Sequence, residues 1–222
     1  MATSLASGSL GFISDIHGNE AALRAVLTEL RKRDVKEIFA AGDLLLGGES
    51  NSLDVWKLLQ SEKVNCIRGL SDTALSNVSG AALRPKDEAQ EESAAAFRRT
   101  QAELGEVLLE RLRRLPTSLR IPMVDGREIL MVHGSPMDET VEISFDMSDE
   151  EILMLIGDDP ADIVVCGGTH VPFQRMIGDL HVVNVGSVGQ APGPKVAHFT
   201  IITPKLEQTS VLQDFVDLEH HE

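Results

Sequence analysis

Residues 10–19, LGFISDIHGN, carry the pattern that decides the fold. The apolar run at 10–14 predicts a strand, and it ends directly in the polar residues Asp15 and His17. Helical spacing follows, carried by Ala22, Leu23, Val26, Leu27 and Leu30. The sequence therefore begins with a strand, a polar loop and an amphipathic helix, in that order.

The same order repeats once more in the first third of the chain, and a third strand follows it. Residues 37–41 predict a strand that closes on Gly42 and Asp43, and residues 53–60 predict a helix. A third strand, at 64–67, closes on Arg68 and Gly69. Strands that alternate with helices indicate parallel βαβ units, so the fold class is α/β.

The character of the sequence changes between residues 72 and 115. One helical stripe is formed by Phe97, Leu104, Leu108, Leu112 and Leu115. The stripe predicts a mostly helical insertion that packs on the body and turns a charged face to solvent. Because the insertion leaves from the strand end at Arg68 and Gly69, it can also be a cap beside the functional site.

Strands resume after Pro116, with a more antiparallel arrangement. They are expected at 120–124, 128–132, 162–166, 173–177, 180–185 and 196–202, with one short helix at 148–156. The pair Gly178 and Asp179 suits a tight hairpin turn between two of these strands. The whole chain, 1–222, is expected to form a single domain.

The composition indicates which classes of binding partner and which cellular compartment to expect. The net charge of −15 disfavours nucleic acid, whereas a small phosphorylated substrate can bind if a metal ion supplies positive charge. No apolar run approaches the roughly 20 residues of a membrane helix, so no membrane contact is expected. Cys66 and Cys166 lie in apolar runs, which favours reduced thiols and a cytoplasmic location.

The chemistry-bearing residues all follow predicted strands directly. They are Asp15, His17, Asp43, His133 and His170. A strand-end aspartate alone is more often a helix cap, and a lone histidine is more often a hydrogen-bonded core residue. Five such residues at the carboxyl ends of strands indicate a metal site, since open α/β sheets gather ligands there. Mixed histidine and carboxylate ligands suit Mn, Fe or Zn.

The order Asp-x-His, Gly-Asp, Arg-Gly-x-x-Asp, His-Gly and Gly-x-Thr-His resembles the calcineurin-like metallophosphoesterase superfamily over nearly the whole chain. Residues 182–190, VVNVGSVGQ, resemble the ending of its small bacterial and archaeal phosphodiesterase branch. The resemblance implies a four-layer αββα sandwich with a helical cap insertion at about 72–115 and metals at the strand ends.

The resemblance also implies a ligand set. Asp15, His17, Asp43 and His170 match the first metal site, with Asp43 shared between two metals. Of the remaining second-site ligands only His133 is present, because Leu70 and Gly168 stand where ligands are expected. We therefore expect one firmly bound divalent transition metal and a second site that is weak or absent.

Two further roles follow from the same resemblance. Arg68 matches an arginine that contacts the substrate phosphate, although a surface salt bridge is the plain alternative. Ser71 stands where a histidine often serves as general acid. His133, without a second metal to hold, can then act as proton donor or bind phosphate.

Three functions remain open on the sequence. The favoured one is a metal-dependent phosphoesterase that hydrolyses a phosphodiester or phosphomonoester, nucleotides included, with a metal-activated water. The second is a catalytically impaired binding or scaffold protein, a use for which the retromer subunit built on this fold is a precedent. The third is a nucleotide sensor that binds without turnover. Substrate identity and oligomeric state stay open.

Overall fold

The computed structural model describes residues 5–47, 51–158, 161–205 and 209–219. The first third has the expected alternation of strand and helix. Its elements are β1 (Leu10–Ile13), α1 (Glu20–Lys32), β2 (Glu37–Ala40), α2 (Ser52–Ser61) and β3 (Asn65–Cys66). Asn19 caps α1, because its side-chain oxygen accepts a hydrogen bond from the Ala22 amide.

The insertion is mostly helical, as the sequence predicts. It contains α3 (Leu70–Asn77), a short 3-10 helix (Gly80–Ala82) and α4 (Glu88–Arg113). On α4, Phe97, Leu104 and Leu112 are buried against the body. Gly105 has a φ of 67° and kinks the helix, a conformation that glycine adopts without steric cost.

The second half of the chain supplies the other strands. They are β4 (Ser118–Pro122), β5 (Glu128–Val132), β6 (Ile163–Cys166), β7 (Phe173–Ile177), β8 (Leu180–Asn184), β9 (Val196–Thr203) and β10 (Ser210–Asp217), with α5 (Asp149–Ile156) after β5. The hairpin between β7 and β8 turns at Gly178 and Asp179 as predicted. The strand β10 was not predicted from the sequence. It forms an edge of its sheet and pairs with β9.

The strands form two mixed five-stranded sheets. The first has the order β10-β9-β1-β2-β3 and the second has the order β4-β5-β6-β8-β7. In the first sheet β1, β2 and β3 run parallel, and β9 is antiparallel to β1. In the second sheet β5, β6 and β8 run parallel, flanked by antiparallel β4 and β7.

The helices and the two sheets form four layers, with an apolar core between each pair of neighbouring layers. The alternation of side chains along a strand gives each sheet two buried faces. In β5, Ile129 and Met131 point into the core between the two sheets, while Leu130 and Val132 point towards α5. The outer face of the first sheet packs on α1, α2 and α4. The result is the αββα sandwich that the sequence predicts.

The carboxyl ends of β1, β2, β3, β5 and β6 meet at one edge of this sandwich, which is where the predicted ligands lie. Backbone hydrogen bonds tie the loops together there, as between the amide of Gly167 and the carbonyl of His133 at 2.9 Å. No helix within the described ranges is long and apolar enough to cross a membrane. Cys66 and Cys166 are both free thiols.

Candidate metal centre

The loop after β1 runs beside the loop after β2. The amide of Asp15 donates to the carbonyl of Gly42, and the amide of His17 donates to the carbonyl of Asp43, both at 3.0 Å. A Cβ atom at Gly42 would lie 2.6 Å from the Gly69 nitrogen, so only glycine allows the two neighbouring strand ends to approach this closely. This packing brings the two carboxylates to the same edge.

Four of the predicted ligands have left-handed backbone conformations. The φ values are 53° for Asp15, 47° for His17, 52° for Asp43 and 62° for His170. Non-glycine residues rarely adopt positive φ, and such strain is found where function requires it. All four residues that the sequence pattern selects for the first metal thus have a strained backbone, which two surface residues, Asp34 and Lys63, also have.

Three side chains form a first cluster whose potential ligand atoms all lie within 4.8 Å of one another, namely Asp15, His17 and His170. The two histidine Nε2 atoms are 3.1 Å apart, and Nε2 of His170 is 3.3 Å from Oδ1 of Asp15. Nε2 of His17 is 4.0 Å from Oδ2 of Asp43. The structure thus brings all four residues predicted for the first metal together.

A second cluster is formed by Asp15, Asp43 and His133. Nε2 of His133 lies 3.5 Å from Oδ1 of Asp43, and the imidazole is only 3% exposed. The two clusters share Asp15, and Asp43 reaches towards both. His133 therefore sits among the candidate ligands rather than at the rim, and its predicted role as proton donor remains a prediction.

Backbone carbonyls fix the orientation of all three imidazoles. Nδ1 of His17 faces the Leu46 carbonyl at 2.9 Å, that of His170 faces the Gln190 carbonyl at 3.1 Å, and that of His133 faces the Ala41 carbonyl at 2.8 Å. A carbonyl can only accept, so each Nδ1 carries the proton. Each neutral imidazole then presents the lone pair of Nε2 to the centre, as in protein metal sites.

These contacts test whether a cation fits. Asp15 has a fully buried side chain, and its Oδ1 has no hydrogen-bond partner within the described part of the chain. An unpaired buried carboxylate oxygen and two opposed nitrogen lone pairs are unfavourable without a cation. Ligands bound to one ion at about 2.0–2.1 Å lie roughly 3.0–3.4 Å apart, which matches the two short separations. The residues present fit a divalent transition metal.

The ionisation of the centre reflects this crowding. Burial raises the pKa of Asp15, but the approach of His170, whose Nε2 lies 3.3 Å from Oδ1, and the positive charge of His133 outweigh it, and the net shift is downward. The neighbouring carboxylate of Asp15 raises the pKa of His170. Burial lowers the pKa of His133, but the charges of Asp43 and Asp15 outweigh it and the net shift is upward. Without a metal, protons on these imidazoles balance the carboxylates.

Asp72 has a structural role beside the centre. Its carboxylate is fully buried and accepts hydrogen bonds from the amides of Leu44, at 3.1 Å, and Gly69, at 3.0 Å. It thereby joins the loop after β2 to the start of α3. Burial and the charge of Asp43 raise the pKa of Asp72 to about 7.

Arg68 turns towards the end of α4. Its Nη1 donates a hydrogen bond to the carbonyl of Arg113, while its Nε is buried without a partner among the residues described. One face of the guanidinium is therefore committed to holding the insertion in place. Contact between Arg68 and a substrate phosphate remains a prediction.

Leu70 and Gly168 stand where two ligands of the second metal site are expected, and neither supplies a side-chain donor. Leu70 begins α3 and offers no donor atom, and Gly168 has a φ of 82°. A Cβ atom at Gly168 would lie 2.8 Å from Cγ and 3.1 Å from Oε1 of Glu142. Glu142 therefore fills the space that a side chain at position 168 would need, although it belongs to neither ligand cluster.

Sequence reasoning missed the scaffold behind these ligands. The Ser187 hydroxyl donates to the carbonyl of Asp15 and accepts from the Gln190 amide, both at 2.8 Å. Asn184 donates to the carbonyl of Gly167 at 2.8 Å. The segment at 182–190 thus holds both Asp15 and the His170 loop. The resemblance of residues 182–190 to the phosphodiesterase branch was visible in the sequence. The hydrogen bonds that these residues make are visible only in the folded chain.

Comparisons with known proteins agree with the fold and identify the family. Residues 9–207 match the model of the calcineurin-like phosphoesterase superfamily domain. The uncharacterized protein MJ0912 of Methanocaldococcus jannaschii is 25% identical over 197 residues, covering 82% of this chain and 76% of that protein.

Two crystal structures have the same fold over most of their length. The hypothetical protein PH1004 of Pyrococcus horikoshii is 24% identical, with a TM-score of 0.75 over 94% of this chain and 88% of that one. A metallophosphoesterase from Sphaerobacter thermophilus is 22% identical, with a TM-score of 0.71 and the same coverage of both chains.

The site and the family match define an α/β phosphoesterase with candidate groups for divalent metal ions. The chain belongs to the calcineurin-like phosphoesterase superfamily. The resemblance read from the strand-end motifs is confirmed by this match, and membership implies a hydrolase.

The pKa shifts predict how stability depends on pH. His133 and His170 have raised pKa values in the metal-free protein, so the stability they contribute is present below the ordinary value near 6.5 and is lost as the pH rises through the folded-state pKa. Asp72, with its pKa raised to about 7, changes stability in the same direction. We expect the melting temperature of metal-free protein to fall as the pH rises from 3.8 to about 7, where Asp72 loses its proton, and to fall further above 6.5 as the two histidines lose theirs. Metal-loaded protein should lack the share of the histidines, and a flat profile for metal-free protein would contradict the prediction.

Proposed function

We propose that this chain hydrolyses phosphoesters with a divalent transition metal held by Asp15, His17, Asp43 and His170. The observation that carries the proposal is the convergence of the Nε2 atoms of His17 and His170 on Oδ1 of Asp15, which has no hydrogen-bond partner among the described residues. Buried polar atoms normally have partners, and a cation bound here would supply the one that Oδ1 lacks.

The donor set favours Mn, Fe or Zn, because imidazole and carboxylate together suit these ions. A divalent cation bound here lowers the pKa of a coordinated water and polarises a phosphoryl oxygen. Asp15 and Asp43 supply the negative charge that retains the cation. The carbonyls of Leu46 and Gln190 keep the two histidines of the first cluster in the binding tautomer.

His133 supplies the group that can move a proton. Its Nδ1 is fixed on the Ala41 carbonyl, so only Nε2 faces the centre beside Asp43. We assign this Nε2 to protonate the leaving oxygen, since the second metal lacks two of its expected ligands. Either a phosphodiester or a phosphomonoester satisfies this geometry, and a nucleotide is among the candidates.

A scaffold or a sensor explains the centre less well. A surface used only for binding needs neither four left-handed ligand residues nor a buried carboxylate oxygen without a partner. Such features lower stability, and random substitution would readily remove them if no metal were bound.

Metal-dependent turnover tests the proposal. Metal-free protein should hydrolyse neither bis(p-nitrophenyl) phosphate nor p-nitrophenyl phosphate, because no side chain of the centre can replace the cation. Adding Mn²⁺, Fe²⁺ or Zn²⁺ should restore hydrolysis of at least one of them, measured as release of p-nitrophenolate. Tight metal binding without any turnover would contradict the enzyme and support the sensor or scaffold.

A further inference from the structure

The outer face of α5 carries exposed apolar side chains. Leu153 is 45% exposed and Met154 is 71% exposed. Gly157, at the end of the helix, lies three and four residues further along and therefore shares their face. Met137 packs on this glycine, since a Cβ atom at position 157 would lie 2.5 Å from its sulfur, and it is itself 66% exposed. Met137, Leu153 and Met154 together are called the α5 patch.

The chain around the α5 patch is acidic. Residues 128–174 contain eleven acidic residues and no lysine or arginine. Five of these acids are exposed within four residues of a member of the patch, namely Asp138, Glu139, Glu150, Glu151 and Asp158. None of the five forms an ion pair with a basic side chain in the part of the chain that the structure describes. They form an acidic rim around the patch.

The acids of the other long helices have basic partners on the same helix. The pairs include Glu20 with Arg24 on α1 at 2.6 Å, Asp54 with Lys57 on α2 at 2.7 Å, and Glu110 with Arg113 on α4 at 2.5 Å. Of the three acids on α5 only Asp149 is paired, with Arg175 of β7 at 3.5 Å. The negative charge beside the α5 patch is therefore uncompensated, whereas the charge on the other helices is largely balanced.

We propose that the α5 patch and its acidic rim form a docking surface for a basic amphipathic helix of a partner protein. The apolar face of such a helix packs on an exposed apolar surface of this kind. Lysine and arginine beside that face meet the uncompensated carboxylates of the rim. Two of the three patch residues are methionines, whose flexible side chains adapt to the partner. The proposal does not depend on the proposed function, because the surface contains no candidate metal ligand.

The charge of the rim argues against two other occupants. A second copy of this chain would bring two acidic rims together, and like charges that face each other oppose association. Anionic lipid headgroups would repel the same carboxylates. A basic segment meets neither obstacle.

Designed peptides test the proposal. The probe is a fluorescein-labelled peptide of about 15 residues, long enough to form a helix, with leucine on one face and lysine on the other. One comparison peptide has the same composition with leucine spread over all faces, and another has glutamate in place of lysine. We expect the probe to bind at least about tenfold more tightly than either, by fluorescence anisotropy, because burial of one large apolar side chain is already worth about that factor.

Met154→Glu separates docking on the patch from attraction between net charges. The substitution removes an apolar contact and adds a negative charge, so the probe should bind at least about tenfold more weakly. Attraction to net charge alone would instead be unchanged or strengthened. Val107→Glu is the matched control, because Val107 is 70% exposed on α4, almost as much as Met154, and lies outside the patch. This control should bind the probe as the unmodified protein does.

Several results overturn the proposal. The probe failing to bind, the three peptides binding equally, or binding that survives Met154→Glu or is weakened as much by Val107→Glu each does so. A dimer of the unmodified protein that Met154→Glu dissociates in sedimentation equilibrium assigns the surface to a second copy instead. Binding to phosphatidylserine vesicles that the same substitution abolishes assigns it to a membrane.

Discussion

Asp15→Asn is expected to lower metal affinity and phosphoester turnover by at least about 100-fold. Even hydrogen-bond partners of metal ligands cost about 10–100-fold when removed, and Asp15 is itself a candidate ligand shared by both clusters. Asparagine keeps the shape and tolerates the left-handed backbone, so only the negative charge of the carboxylate is lost. The metal content of purified protein and the metal-induced rise in melting temperature measure the effect.

Asp34→Asn is the matched control for this substitution. Asp34 also has a left-handed conformation, with a φ of 56°, but its side chain is exposed and pairs with Lys36 on the surface. This variant should retain metal content, turnover and the metal-induced stabilisation. If Asp15→Asn binds metal as well as the unmodified protein does, the first site has been assigned to the wrong residues.

The ligands were predictable because each lies at a strand end, and strand ends are local features of the sequence. The run before Asp15 alternates between two cores, with Phe12 between the sheets and Ile13 towards the helices. Once such a strand is placed in a parallel sheet, the next polar residue must emerge at its carboxyl edge. No long-range information was needed to bring Asp15 and Asp43 together.

Other features depend on tertiary packing and had no local signal. Glu142 follows no strand or helix pattern, and its position beside Gly168 is visible only in the folded chain. The turn of Arg68 towards Arg113 likewise depends on where α4 ends. The edge strand β10 was missed because its partly exposed residues do not form an apolar alternation.

Rebuilding the second metal site is the other change with a large expected effect. Leu70→Asn and Gly168→His restore the two missing donors, but Gly168 is held at a φ of 82° and its Cβ would lie 2.8 Å from Cγ of Glu142. The left-handed backbone alone costs a side chain about 1–2 kcal/mol. We therefore expect the double variant to be destabilised and to gain the second ion incompletely.

Adding Glu142→Ala to the double variant removes the obstruction, and the triple variant should raise the metal content from about one to about two ions per chain. Asp43, His133 and the two introduced side chains would then exceed the roughly three protein ligands that catalytic transition-metal sites take. Glu142→Ala alone should leave the content at about one, because it adds no donor. Two fully occupied ions in the unmodified protein would contradict this account. The second site would then be completed by a donor at some position other than 70 or 168. The Ser71 hydroxyl, which has no partner among the described residues and lies beside Asp43, is such a donor, and Ser71→Ala would identify it.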